Sequence, residues 1–198
     1  MLLLESAFYD QLGSIERQLG LPEGFFRDVR GEDDWSFVIK IHALFEAAFP
    51  ERICAELDRP ELKDVISCLG LSDTRHGKVA FADALGMLGD GAAAKRHRGF
   101  VRHLSELRNR LAHDPRNVNF RLKEDIDQLA QNDRRSLFVK CDSFSGNDDF
   151  IFENVFLVDP KTVVWWSAVA TLAQIYGFTE ITELQASTRN FLESLAKT

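Results

Sequence analysis

Residues 35–49 are apolar on almost every side of a helix. Trp35, Phe37, Val38, Ile39, Ile41, Leu44, Phe45 and Phe49 leave no wide polar face, so such a helix has to be surrounded by other elements. This run dictates a multi-helix bundle with residues 35–49 at its centre. Asp33 and Asp34 are suited to cap it, and Pro50 is expected to end its regular pattern.

The neighbouring segments carry helical periodicity. Leu4, Phe8, Leu12, Ile15 and Leu19 recur every three or four residues, and Gly20 and Pro22 break that helix. Shorter helices are expected over Glu61–Leu69 and Lys78–Leu88, with a loop at Gly89–Ala92. A longer helix is expected from about Arg96 to His113, with Phe100, Leu104, Leu107 and Leu111 as its apolar stripe. Val118–Leu129, Pro160–Tyr176 and Ile181–Leu195 follow as further helices. Leu137–Phe144 and Phe150–Val158 are rich in Phe and Val and flank Ser-Gly-Asn-Asp-Asp. They read as a short β-hairpin or as extended segments lying on the bundle. The expected architecture is all-α: one up-and-down helical bundle over 1–198, its core at about 33–120 and its C-terminal helices at 160–196, with an irregular insertion near 137–158.

Three cysteines without a CxxC spacing argue against a disulfide framework or a zinc site. No run is apolar and long enough to span a membrane, and the N-terminus lacks a basic leader, so a cytoplasmic location is expected. The net charge of −7 is unfavourable for a polyanion partner, but it is unevenly distributed. Between Lys95 and Arg121, eight Lys/Arg stand against two acids, which gives that segment +6 and the rest of the chain −13. A polyanion is drawn to that segment and repelled elsewhere. Arg96, Arg98, Arg102 and Arg110 are its candidate phosphate contacts. For a single strand they predict a salt slope of roughly −2 to −3.

This basic segment leads into Arg-Asn-Arg-Leu-Ala-His at 108–113, followed by Asp114 and Pro115. Arg108 offers a planar fork for a phosphate. His113 is a residue type that moves protons near neutral pH. Asn109 lies four residues before His113 and shares its helix face, whereas Arg108 sits about 140° around. A residue preceding proline avoids helical geometry, so Asp114 is expected to end the helix just after His113. Within the buried run, Lys40, His42 and Glu46 are polar. His42 and Glu46, four apart, either pair with each other or lie on a narrow polar stripe, or else Glu46 orients Arg108 or His113.

The Arg108–His113 string resembles the Arg-x4-6-His signature of the HEPN superfamily. Residues 35–49 resemble the buried helix of its mannitol-operon-repressor branch, and residues 77–86 resemble the helix preceding the motif helix there. Together the resemblance covers roughly residues 33–120. It implies a helical bundle, commonly a homodimer in which two motif helices meet at a shared cleft. It also implies metal-independent RNA cleavage by 2′-hydroxyl attack, with no cofactor and no metal. Arg108 would stabilise charge on the scissile phosphate, His113 would exchange a proton, and Asn109 would keep the site polar. Roles in toxin–antitoxin, defence or RNA-processing systems follow, with RNA and a cognate antitoxin or regulatory protein as partners.

Two departures matter. Toxins paired with nucleotidyltransferase antitoxins carry a tyrosine two residues after the histidine, where this chain has Pro115. The mannitol-repressor branch also includes regulators without catalysis. A metal-independent endoribonuclease is the first expectation. A non-catalytic regulator that binds a protein or nucleotide is the second.

Overall fold

The computed structural model describes residues 12–177, and within them the protein is all-α with no strand. Residues 12–18 are helical (α1). Then follow α2 (Phe25–Gly31), α3 (Asp34–Leu57), a 3-10 turn at Pro60–Leu62 and α4 (Lys63–Ser67). Next are α5 (Lys78–Ala84), α6 (Gly91–Ala112), a 3-10 turn at Pro115–Asn119 and α7 (Leu122–Asp127). The chain continues with α8 (Gln131–Cys141), α9 (Asp149–Ile151), a π-helical turn at Phe152–Phe156 and α10 (Pro160–Ile175). The helices expected at 4–11 and 181–195 lie outside the described residues.

α3 is the central helix, as its composition requires. Eleven of its residues are buried, and α2, α4, α5, α6 and α10 pack around it. Asp33 caps it by accepting from the Ser36 amide at 2.9 Å. Asp34 instead bonds the Leu122 amide at 2.8 Å and pairs with Lys161 at 3.1 Å, tying the start of α3 to α7 and α10. The helix does not end at Pro50. It continues to Leu57, because Pro50, Ile53 and Cys54 are all buried in the core and that burial offsets the one lost helical hydrogen bond. Among the described residues no helix is long and apolar enough to cross a membrane.

α3 and α6 run antiparallel. Trp35 donates to the Leu111 carbonyl at 3.4 Å, and the Phe45 ring meets Phe100 edge-on at 6.1 Å. α6 starts at Gly91, earlier than expected from sequence, since Ala92, Ala93 and Ala94 are strong helix formers.

The hairpin expected near 137–158 does not exist. Leu137–Cys141 completes α8, and 149–156 is helical. Ile151, Phe152, Val155 and Phe156 are buried at helical spacing, and Phe138 lies 5.4 Å from Phe152 and 5.2 Å from Phe156. The β-propensity of these aromatics yields to packing on the bundle. The Ser-Gly-Asn stretch is instead wound around buried Asp142. Its carboxylate accepts from the amides of Phe144, Ser145 and Asn147.

α10 is the second buried helix, with fourteen of its sixteen residues inside. Two of its hydroxyls, Ser167 and Thr171, interrupt its apolar surface in a buried network. Thr171 Oγ1 lies 2.9 Å from His97 Nδ1 and donates to the Ser167 carbonyl, while Ser143 binds Ser167 through both its amide and its hydroxyl. Burial pushes the His97 imidazole down to about 4, and the neighbouring Arg96 charge adds to the effect. The folded protein therefore holds His97 neutral, whereas the unfolded chain protonates it near 6.5. Stability from this group is complete above pH 6.5 and is lost as the pH falls towards 4, by about 3 kcal/mol in all. His42 and His103, also lowered by burial, act in the same direction. The expected result is a urea midpoint that drops between pH 7 and pH 4.5, and drops less in His97→Gln. Parallel pH curves for the two proteins would show that His97 is not responsible.

Candidate functional site

The end of α6 is built from several directions. His113 is the C-cap residue, and its amide closes on the Asn109 carbonyl at 3.2 Å. Asp114 is extended, as the following proline demands, and its carboxylate caps the 115–119 turn through the Arg116 amide. Asn117 donates back to the Arg110 carbonyl at 3.2 Å, while Trp35 takes the Leu111 carbonyl. The last carbonyls of α6 are thus bound by side chains from two neighbouring segments. The motif sits on a fixed helix end, and His113 and Asn109 are exposed there.

Arg108 faces another way. Buried residues of α6 include Val101, Leu104, Ser105, Leu107 and Leu111. At ~100° per residue, Arg108 falls in the middle of that apolar arc. It is half-buried, and its guanidinium bonds the Asn109 side chain at 3.0 Å. It faces no carboxylate within ion-pair distance among the described residues. A cation on an apolar stripe with only a neutral amide partner is poised for an anion.

On the α3 side, the Arg108 charge acts on buried His42. Burial holds this imidazole below its usual range, Glu46 opposes that shift, and the Arg108 and Lys78 charges reinforce it. The Glu46 carboxylate forms an ion pair with Lys78, and no hydrogen bond or ion pair joins it to Arg108 or His113 among the described residues. Lys78 is almost fully buried and was not singled out from the sequence. Its position depends on Gly77, where a Cβ would lie 2.6–2.7 Å from backbone atoms of Asp73 and Gly70. The 70–77 loop folds on itself there, with the Lys78 amide on the Gly70 carbonyl at 3.0 Å. The one sequence signal for Lys78 was a charged residue directly after a glycine and before an apolar helix.

The structure sorts the basic residues. Arg110 is committed to Asp125 through two bonds of 3.1 and 2.7 Å and lies over the Phe120 ring. Arg116 wraps Asp114. Arg98 touches Asp83 through one nitrogen, and Arg102 touches Glu106 through Nε alone at 3.0 Å. Arg96 is half-buried, and its Nε is buried without a hydrogen-bond partner.

No protein-family model, curated protein or solved structure matches this chain.

Proposed function

We propose that this protein is a HEPN-type, metal-independent endoribonuclease that works as a homodimer, with a toxin, defence or RNA-processing role. The observation that carries this reading is Arg108. It is a half-buried cation without a carboxylate partner among the described residues, on the same helix end as exposed Asn109 and His113. A scissile phosphate supplies the missing negative charge. The 2′-oxygen attacks phosphorus, its proton passes to a base, and the bond to the 5′-oxygen breaks as that oxygen gains a proton. His113 takes one or both proton steps. The products are a cyclic phosphate and a 5′-hydroxyl.

Arg108 and His113 point about 140° apart on one helix. A second copy placed by two-fold symmetry brings the Arg108 of one protomer towards the His113 of the other. The test is digestion of total RNA by the purified chain with EDTA present. Cleavage that persists and leaves cyclic-phosphate ends supports the reading, and cleavage that disappears with EDTA defeats it. Light scattering at micromolar concentration is expected to show a dimer, and a monomer counts against the shared cleft.

One observation favours a second reading, a non-catalytic regulator that binds a protein or nucleotide. Arg98, Arg102, Arg110 and Arg116 each already face a carboxylate, which reduces the pull of the +6 segment on RNA. Absence of cleavage under every condition selects that reading.

A further inference from the structure

The exposed face of α6 carries a row of polar residues that ends at the motif. At ~100° per residue, Lys95, Arg98, Arg102, Asn109 and His113 fall within about 60° of one another. Beside the first half of this row lies a groove of about 460 Å³. The loop residues Thr74 and Arg75 form one wall, Arg98, Gly99 and Arg102 form the other, and Ala80 is among the lining residues. We propose that this groove is a phosphate-binding subsite for single-stranded RNA, holding a backbone linkage a few nucleotides away from the one at His113. The inference rests on the ribonuclease reading for the second end of the strand, but the groove is argued from its own chemistry.

Donor availability is the first argument. Arg98 and Arg102 each use one nitrogen on a carboxylate, so each guanidinium keeps further N–H groups for a ligand. Arg75 makes no ion pair among the described residues. Arg110 and Arg116, by contrast, are gripped by two or more bonds each. The two acids in the groove have structural duties. Asp73 accepts from the Arg75 and His76 amides at 2.8 and 2.7 Å, which shape the loop and hold its carboxyl below the usual range. Asp83 tethers Arg98.

Shape is the second argument. A Cβ at Gly99 would meet no atom within 4 Å, so that wall is low and open, and a strand's backbone can lie close to α6. Arg98 and Arg102 are about 16–22 Å from His113 along the helix at 1.5 Å per residue. A strand seated in the groove can reach the motif along the polar row. A single strand fits the groove, since it needs only cationic contacts to its backbone there, and Glu106, paired with Arg102, flanks the neutral stretch of the row that follows.

The test is fluorescence anisotropy on the full chain, with a labelled oligouridylate of about eight nucleotides and a labelled dinucleotide. Tighter binding of the longer probe is expected, with a salt slope near −2 from three arginine contacts at about −0.7 each. Arg75→Ala with Arg102→Ala is expected to weaken the longer probe about ten- to hundredfold and flatten the slope to about −0.7. Gly99→Glu, which places a negative charge on the open wall, is expected to weaken it too, with unchanged circular dichroism. Unchanged affinity and slope in these variants overturn the subsite. So does equal affinity for both probes, or equally strong competition by polyglutamate, which would mark a docking site for acidic protein. RNA cleavage scored in parallel separates the two ideas. Intact cleavage with unaffected binding removes the groove alone, whereas groove-dependent binding without cleavage removes the ribonuclease alone.

Discussion

Alanine at His113 or at Arg108 is expected to lower RNA cleavage by about 10²–10⁴-fold, the range for losing a general acid–base or a charge-stabilising donor. Both proteins are expected to fold. His113 is exposed at the helix cap, and among the described residues the only side chain hydrogen-bonded to Arg108 is Asn109. Lysine at position 108 keeps the charge but loses the fork, so it is expected to restore only part of the rate. Mixing the two alanine variants is the most informative arm. If Arg108 of one protomer works with His113 of the other, heterodimers contain one complete site and regain activity. If each site lies within one chain, no mixture recovers. Wild-type rates in either single variant would end the assignment of these residues.

The largest expected loss of stability comes from Trp165→Ala, at about 3–5 kcal/mol by chemical denaturation. Trp165 is 1% exposed in the middle of α10. Its indole N–H donates to the Phe26 carbonyl at 2.9 Å, Arg30 lies over its ring at 5.3 Å, and the Trp166 ring meets it edge-on at 5.0 Å. Truncation opens a cavity and also leaves the Phe26 carbonyl, at the first turn of α2, without that donor. Since domains are stable by only about 5–15 kcal/mol, this is a large share of the total. Trp165→Phe fills much of the space and loses the donor, so a smaller loss of about 1–3 kcal/mol is expected. Equal losses for the two variants would mean that the hydrogen bond, not the packed volume, dominates.

The central helix was legible from sequence because an all-round apolar run has only one place to go, whereas Pro160–Tyr176 was legible as a helix but not as a buried one. The end of α6 was legible because Asp114 precedes proline. Three features were hidden for physical reasons. Pro50 forbids one hydrogen bond, but tertiary burial decided whether the helix survived it. Phe and Val at 150–156 favour strands locally, although Ile151, Phe152, Val155 and Phe156 recur at the three- and four-residue spacing of a helix. Gly91 looked like loop chemistry beside Gly89, although three alanines follow it. At the candidate site, the inward direction of Arg108 follows from counting residues along a helix wheel. The partnership of Glu46 with Lys78 does not, because it depends on how a loop 32 residues away in sequence closes around Gly77.

A greasy cylinder inside a greasy sleeve can slide or rotate at little cost, and α10 would be such a cylinder if its surface were uniform. Its hydroxyls remove that freedom. Ser167 and Thr171 meet Ser143 and His97 in only one alignment, and any shift along or about the axis strands several polar atoms at once. The network therefore acts as an index mark, selecting one seating of α10 among many of similar apolar contact. Its value lies less in added cohesion than in making the interior a single conformation, and the end of α6 inherits that definition through His97.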